Sequence, residues 1–353
     1  MKINIIQNKV PHYRIPLFNA LVNKLEWCVE VFHSGPSVAG DIRSWHQTIV
    51  PRMEIGAVSL QRLSSKSMRQ ADANIVMFDL HWPVGIVAGL KMRREAPIIW
   101  WGHGLGRRAI GRAIRLHLVR AGHGMIVYGP AAESELRRRG VPAHKVTVAP
   151  NTVWLDHPED TSAELATHFI FVGRLQDRKR LGDLIKAFAT IHASVSLDLL
   201  IVGDGPCREQ LERVADKCRL HGRVKFLGSI LNEVDLRELF RRSLAYVSPG
   251  SVGLGVLHAF GYGVPVVTAL TAGHGPEREW VRDGETGLLT DGSIDGLADE
   301  MLKLSANREL AAQLGRNAYM SYCNDVAPDK MVQGFHEAVR LAVRGDYEFD
   351  FKT

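Results

Sequence analysis

The stretch "SPGSVGLGVLHAFGYGVPVV" spans Ser248–Val267. The apolar run LAYV (244–247) precedes it, and it runs on into VVTAL (266–270). Five glycines fall between these two strand-like segments, with His258 in the middle of an otherwise apolar helical turn. Glycine costs more backbone entropy than any other residue, so such a cluster marks a tight turn or a close approach to the backbone. Strand, glycine-rich turn and short helix in succession make a unit of alternating α/β architecture. Gly250, Gly253 and Gly255 leave backbone N–H groups accessible at a helix N-terminus. Such an end carries partial positive charge and unpaired donors, so it suits an anion. The pattern is neither G-x-G-x-x-G nor G-x-x-x-x-G-K-[ST].

Working outward, short apolar runs alternate with helical stretches along the whole chain. Upstream they are INIIQ (3–7), CVEVFH (28–33), NIVMFDL (74–80), PIIWWGH (97–103), GMIVYG (124–129) and KVTVAP (145–150). Downstream come HFIFVGR (168–174), DLLIVGDG (198–205), RVKFLGS (223–229), LAYVSPG (244–250), VPVVTAL (264–270) and GLLTDG (287–292). Runs apolar throughout, rather than alternating, fit strands buried on both faces of a parallel sheet. LGDLIKAFATIHA (181–193) and CREQLERVADKCRLHG (207–222) read as crossover helices. A length of 353 residues exceeds one ordinary core, which predicts two domains. The polar, acidic interval WLDHPEDTSAELATH (154–168) separates the two strand series. The expected domains are 1–157 and 158–327, both doubly wound and facing each other across a cleft, with a C-terminal helix at about 328–345 packing back on the first.

Composition excludes some classes. The chain is 46% apolar and 23% charged, as in globular proteins. A net charge of +6 favours an anionic partner without choosing among phosphates, membrane and nucleic acid. The arginines are not interleaved with aromatics on one strand face, which argues against nucleic acid. Cys28, Cys207, Cys218 and Cys323 show no C-x-x-C spacing, so reduced thiols and a cytoplasmic setting are expected. The opening MKINIIQNKV has no long apolar run after a basic segment, and no run of 18 apolar residues occurs. Neither a signal peptide nor a spanning helix is expected.

The loops after the downstream strands carry the chemistry. FVGRLQDRKR (171–180) places Arg174 just past a strand and Lys179 five residues later. A planar guanidinium and an ammonium there suit a diphosphate, although Arg178 and Arg180 also fit a solvated charge run. IVGDGP (201–206) reads as strand, tight turn and helix start, with Gly203 and Gly205 allowing the turn and Pro206 at the first helical position. It serves equally well as a plain structural turn.

Taken in order, FVGRLQDRK, IVGDGP, VKFLGS, the glycine-rich stretch and GPEREWVRDGETGLL (275–289) resemble family 4 glycosyltransferases of the GT-B fold. The resemblance is strong over about 144–290. VPHYRIPLFNAL (10–21) and WWGHG (100–104) extend it more weakly upstream. It implies that Arg174 and Lys179 bind the diphosphate of a nucleotide sugar. It also implies that Gly253, Leu254 and Gly255 approach the phosphates and the sugar, and that Glu277 and Gly284–Leu289 follow at the same site. Gly203 joins them on the donor side. The family's turn carries two Glu residues separated by seven, the first reading the sugar and the second the ribose. Gly250 and His258 stand at those positions here. A neutral imidazole at 258 can make one hydrogen bond to a hydroxyl but gives no bidentate charged grip.

By the same resemblance the first half holds the acceptor. His12, Tyr13 and Arg14 lie at the mouth of the first strand, in place of the family's glycine-rich loop, and Arg14 is the candidate substitute. His103, between Gly102 and Gly104, is the candidate beside the reacting sugar. Asp79 and His81 also sit at a strand mouth. The stretch 105–122 carries Arg107, Arg108, Arg112, Arg115 and Arg120 around the stripe Ile110, Ile114, Leu118 and Val119. It fits a surface helix packed on the sheet or a peripheral contact with an anionic membrane face. The expectation is a retaining glycosyltransferase of cell-surface polysaccharide synthesis, using a nucleoside diphosphate sugar and a glycan or lipid-linked acceptor. No Asp-x-Asp occurs, and neither cofactor nor metal is expected. A GT-B nucleotide-sugar epimerase and a catalytically silent nucleotide- or glycan-binding subunit are the rival readings.

Overall fold

The computed structural model describes residues 1–55, 58–61, 69–106, 109–155, 158 and 166–344. The chain divides into two units, Met1–Trp154 with Pro328–Thr353, and Leu155–Ala327. The expected boundary at 157/158 falls beside residues 156 and 157, which lie outside the described residues, as do Arg107 and Arg108.

The first unit is built on β1 (Lys2–Ile6), β2 (Cys28–His33), β3 (His46–Ile49), β6 (Ala73–Met77), β7 (Ile98–Trp101), β8 (Gly124–Val127) and β9 (Val146–Val148). A separate antiparallel hairpin joins β4 (Arg52–Ile55) to β5 (Val58–Gln61). The large sheet runs β3-β2-β1-β6-β7-β8-β9, with every pairing parallel. Both faces are covered, which is why its strands are apolar throughout. In β7, Ile99 and Trp101 enter one core with Ile3, Ile5, Phe18 and Phe335, while Ile98 and Trp100 enter the other with Val76, Ile86 and Val119. The helix Pro328–Arg344 supplies Met331, Val332, Phe335, Ala338 and Val339 to the first of these cores. Gly334 permits that approach, since a Cβ there would lie 2.5 Å from the Val148 carbonyl oxygen.

The second unit contains β10 (His168–Val172), β11 (Asp198–Val202), β12 (Val224–Gly228), β13 (Ser243–Ser248), β14 (Val266–Ala269) and β15 (Gly287–Thr290). They form one parallel sheet in the order β12-β11-β10-β13-β14-β15. In each large sheet the strand order reverses at one point, between β1 and β6 and between β10 and β13. Loops leaving the carboxyl ends of the strands diverge there, and open α/β sheets bind ligands at such a point.

Sequence and structure differ in places. β3 and the hairpin do not show as apolar runs. β3 reads HQTI and is half-buried or exposed along its length, because it is the edge of its sheet. Pro206 lies ahead of the helix Arg208–Lys217 rather than at its first position. That helix stops at Lys217 and not at 222, where Arg219 turns left-handed with φ 57°.

Candidate functional site

In the second unit the exit of β10 is pressed against two neighbouring loops. On one side, the N–H of Leu175 donates to the Asp204 carbonyl at 2.9 Å, and that of Cys207 donates to the Leu175 carbonyl at 3.2 Å. Gly203 adopts φ +131°, and a Cβ on it would sit 1.9 Å from the Gly173 carbonyl oxygen. Only glycine fits this crossing. Arg174 is exposed and makes no hydrogen bond or ion pair among the described residues.

On the other side, the 3-10 turn Asp177–Lys179 locks onto the glycine-rich turn. Gly250 N–H donates to the Lys179 carbonyl at 3.1 Å, and Ser251 N–H donates to the Arg178 carbonyl at 2.8 Å. Arg178 donates to the Ser251 hydroxyl at 3.2 Å, and the Lys179 ammonium donates to the Ser251 carbonyl. A Cβ on Gly250 would lie 2.3 Å from the Arg178 carbonyl oxygen and 2.5 Å from the Lys179 carbonyl carbon. Lys179 is 6% exposed. Burial, and then Arg178, lower its pKa to about 8, while the charge of Glu277 opposes the shift. Glu277 is itself buried, in the 3-10 turn Pro276–Trp280. A Cβ on Gly255 would lie 2.5 Å from the Tyr246 hydroxyl and 2.9 Å from the Val172 carbonyl oxygen, so the turn also abuts the end of β10. The N–H groups of Gly253, Leu254 and Gly255 find no acceptor among the described residues, and all three residues are partly exposed.

One turn further on, in the helix Gly255–Gly261, the His258 ring stacks on Phe240 with centroids 6.1 Å apart and planes at 6°. Its Nδ1 faces the Leu254 carbonyl at 3.4 Å, and its Nε2 faces Glu233 Oε2 at 3.5 Å. The Tyr262 hydroxyl donates to the other Glu233 oxygen at 2.7 Å.

In the first unit, Arg14 crosses from the exit of β1 to the exits of β7 and β8. Its guanidinium lies over the Trp101 ring, 3.8 Å from the centroid, and donates to the Tyr128 hydroxyl at 2.6 Å. Arg14 is 8% exposed, and its Nη1 has no hydrogen-bond partner among the described residues. His103 packs edge-on to Tyr128, with centroids 5.0 Å apart, and keeps an accessible side. Desolvation lowers the His103 pKa, Arg14 and Arg115 lower it further, and Asp79 opposes them. Asp79 faces His81 Nδ1 at 3.0 Å, and His12 is exposed beside Tyr13.

Residues 154–321 match the family described as Glycosyl transferases group 1. The chain is similar to N-acetyl-alpha-D-glucosaminyl L-malate synthase of Bacillus anthracis, with 29% identity over 178 residues, 50% of this chain and 46% of that one. It is also similar to the lipopolysaccharide core biosynthesis glycosyltransferase LpsE of Rhizobium meliloti, with 31% identity, covering 49% of this chain and 48% of that one. The chain spans about half the length of the curated relatives it matches. Over 96% of its own length it superposes on Anabaena Alr3699/HepE, solved in complex with UDP, at a TM-score of 0.72 and 18% identity, covering 100% of that chain. That family match takes in the whole second sheet, β10 to β15.

The fold is that of GT-B glycosyltransferases, with two parallel-sheet Rossmann-like units. Within the matched stretch 154–321, Arg174, Lys179, Gly203, Gly253, Leu254, Gly255 and Glu277 come together around the switch point. His258 lies at its edge and is turned toward Glu233. In the other unit Arg14 and His103 share Tyr128, while His12 stands apart on the surface. Sequence reasoning missed Glu233 and Tyr128. Both follow the carboxyl end of a strand, Glu233 after β12 and Tyr128 after β8, and that position is the signal by which they could have been found.

Proposed function

We propose that this protein transfers a sugar from a nucleoside diphosphate sugar to a hydroxyl of a glycan or lipid-linked acceptor, with retained anomeric configuration, in cell-surface polysaccharide synthesis. The observation that carries the reading is the joint at the β10/β13 switch point. There, Arg174 and three backbone N–H groups, all without a partner among the described residues, stand with the buried Lys179 at the ends of adjacent strands. As the glycosidic bond breaks, negative charge gathers on the departing diphosphate. Of these groups, the buried Lys179 and the backbone N–H groups are already fixed in place and stabilise that charge without reorganising, a term usually the largest in such catalysis, and the exposed Arg174 adds a further positive charge. They also do at the diphosphate what a divalent cation would do, so the reaction is expected to proceed without added metal. HepE, which shares the fold, was solved with UDP, so UDP is the first nucleotide to try.

His103, Arg14 and His12 belong to the acceptor side in this reading. His103 has a depressed pKa, stays neutral at pH 7 and can accept a proton from a hydroxyl. The helix Ala109–Ala121 exposes Ile110 at 80% and Ile114 at 49%, next to the partly exposed Arg112. This fits peripheral contact with an anionic membrane surface carrying the acceptor.

The test is incubation with UDP- and GDP-sugars, with and without a membrane extract, reading nucleoside diphosphate release. Acceptor-dependent release is expected. Altered sugar configuration without release makes the protein an epimerase. Binding without turnover makes it a silent subunit, the outcome that the departures at Gly250 and His258 would favour.

A further inference from the structure

A nucleoside diphosphate presents a second polar end beyond its phosphates. The vicinal hydroxyls of its ribose are met best by a carboxylate, whose two oxygens can accept both hydrogens. Position 258 offers no carboxylate, and its ring is already engaged. Both His258 nitrogens face oxygen acceptors, and Phe240 stacks against one face of the ring. A ring so placed donates hydrogen bonds, whereas a hydroxyl proton needs an acceptor.

Of the carboxylates beside the glycine-rich turn, Glu277 is 4% exposed and acts on the buried Lys179. Glu233 is different. It is the first residue of the helix Glu233–Arg241, which follows the carboxyl end of β12, and 23% of its side chain remains open. Tyr262 holds one oxygen and His258 flanks the other at a longer distance, which fixes the group without using all its lone pairs. Burial alone would raise its pKa. The bonds from His258 and Tyr262 outweigh that and hold it below the usual carboxylate range, so it is ionised at neutral pH.

We propose that Glu233 is the ribose-binding carboxylate of the donor site, with His258 and Tyr262 as the residues that position it. The acceptor that position 258 lacks is supplied by the neighbouring helix. This rests on the donor reading above.

Calorimetric binding of UDP and GDP, each beside its 2′-deoxy form, tests it. The wild type should bind the better ribonucleotide about tenfold more tightly than its deoxy analogue, the factor expected for one lost hydrogen bond. Glu233→Gln keeps the shape and the Tyr262 bond; it should bind the ribonucleotide about tenfold more weakly and lose the discrimination. The exchange Glu233→His with His258→Glu keeps the pair with its members swapped, and should recover part of the discrimination. Arg174→Ala should weaken both forms alike and leave their ratio unchanged. A Glu233→Gln protein that keeps the wild-type ratio overturns the proposal and leaves the donor reading intact. A wild type that binds neither UDP nor GDP overturns both.

Discussion

Gly250 has no room for a side chain. Its missing Cβ would meet the backbone of residues 178 and 179, which cannot swing aside as a flexible side chain can. Gly250→Ala should therefore open the joint and cost about 1–3 kcal/mol, seen as a lower melting temperature. Gly250→Glu should fail to restore a sugar-reading carboxylate, and a stable Gly250→Glu protein with tighter donor binding would contradict this account. Arg174 is the opposite case. It is exposed and unpaired among the described residues, so Arg174→Ala should leave stability within about 0.5 kcal/mol and weaken UDP binding roughly ten- to a hundredfold. Lys179 gives a pH signature. Its folded pKa of about 8 lies below the ordinary 10.5, so between those values the unfolded chain binds more protons. Stability therefore rises with pH across that window. Diphosphate affinity runs the other way, because the ammonium loses its charge above about pH 8. Chemical denaturation and UDP titrations at pH 7 and 9 should show these opposite slopes, and Lys179→Arg should flatten both.

At the scale of the element, the helix Ala109–Ala121 divides what reads in the sequence as one apolar stripe. Leu118 and Val119 are buried in the sheet-facing core, whereas Ile110 and Ile114, four residues apart on one face, are exposed. Arg120 and Arg115 are turned to backbone carbonyls, Arg120 to Arg139 at 2.6 Å and Arg115 to Leu105 at 3.5 Å. The membrane reading thus narrows to the first turns of the helix. The double variant Ile110→Ser with Ile114→Ser should lose sedimentation with phosphatidylserine vesicles while keeping its melting temperature, because neither side chain is buried. Undiminished binding, or wild-type binding indifferent to lipid charge and salt, would remove this helix from any membrane contact.

For the whole molecule, the central strands were legible because burial on both faces leaves an unbroken apolar run, as in β10 and β13. The edge strand β3 was not, since an edge keeps polar residues. The glycines of the joint were legible as a cluster, but their reasons were not. Gly203 and Gly250 answer to backbones remote in sequence, which no local pattern reveals. The Glu233–His258 pair likewise spans two helices. The same kind of long-range dependence governs the first unit. Phe335, on the helix that closes the described chain, packs edge-on against Trp101 with centroids 4.9 Å apart. The Arg14 guanidinium lies over that same Trp101 ring. Phe335→Ala should create a cavity beside Trp101 and cost about 3–5 kcal/mol. For a unit of this size that lowers the melting temperature by roughly 10 °C. The looser ring should also loosen Arg14, whose positive charge helps to depress the His103 pKa. Once that influence weakens, the His103 pKa should rise toward its ordinary 6.5, a shift readable by NMR titration of the imidazole. Phe335→Leu, which fills most of the volume, should recover most of the stability and hold His103 nearer its wild-type value. If Phe335→Ala melts like the wild type, the C-terminal helix is not part of this core. If it melts early but His103 titrates unchanged, Arg14 is held by Tyr128 alone.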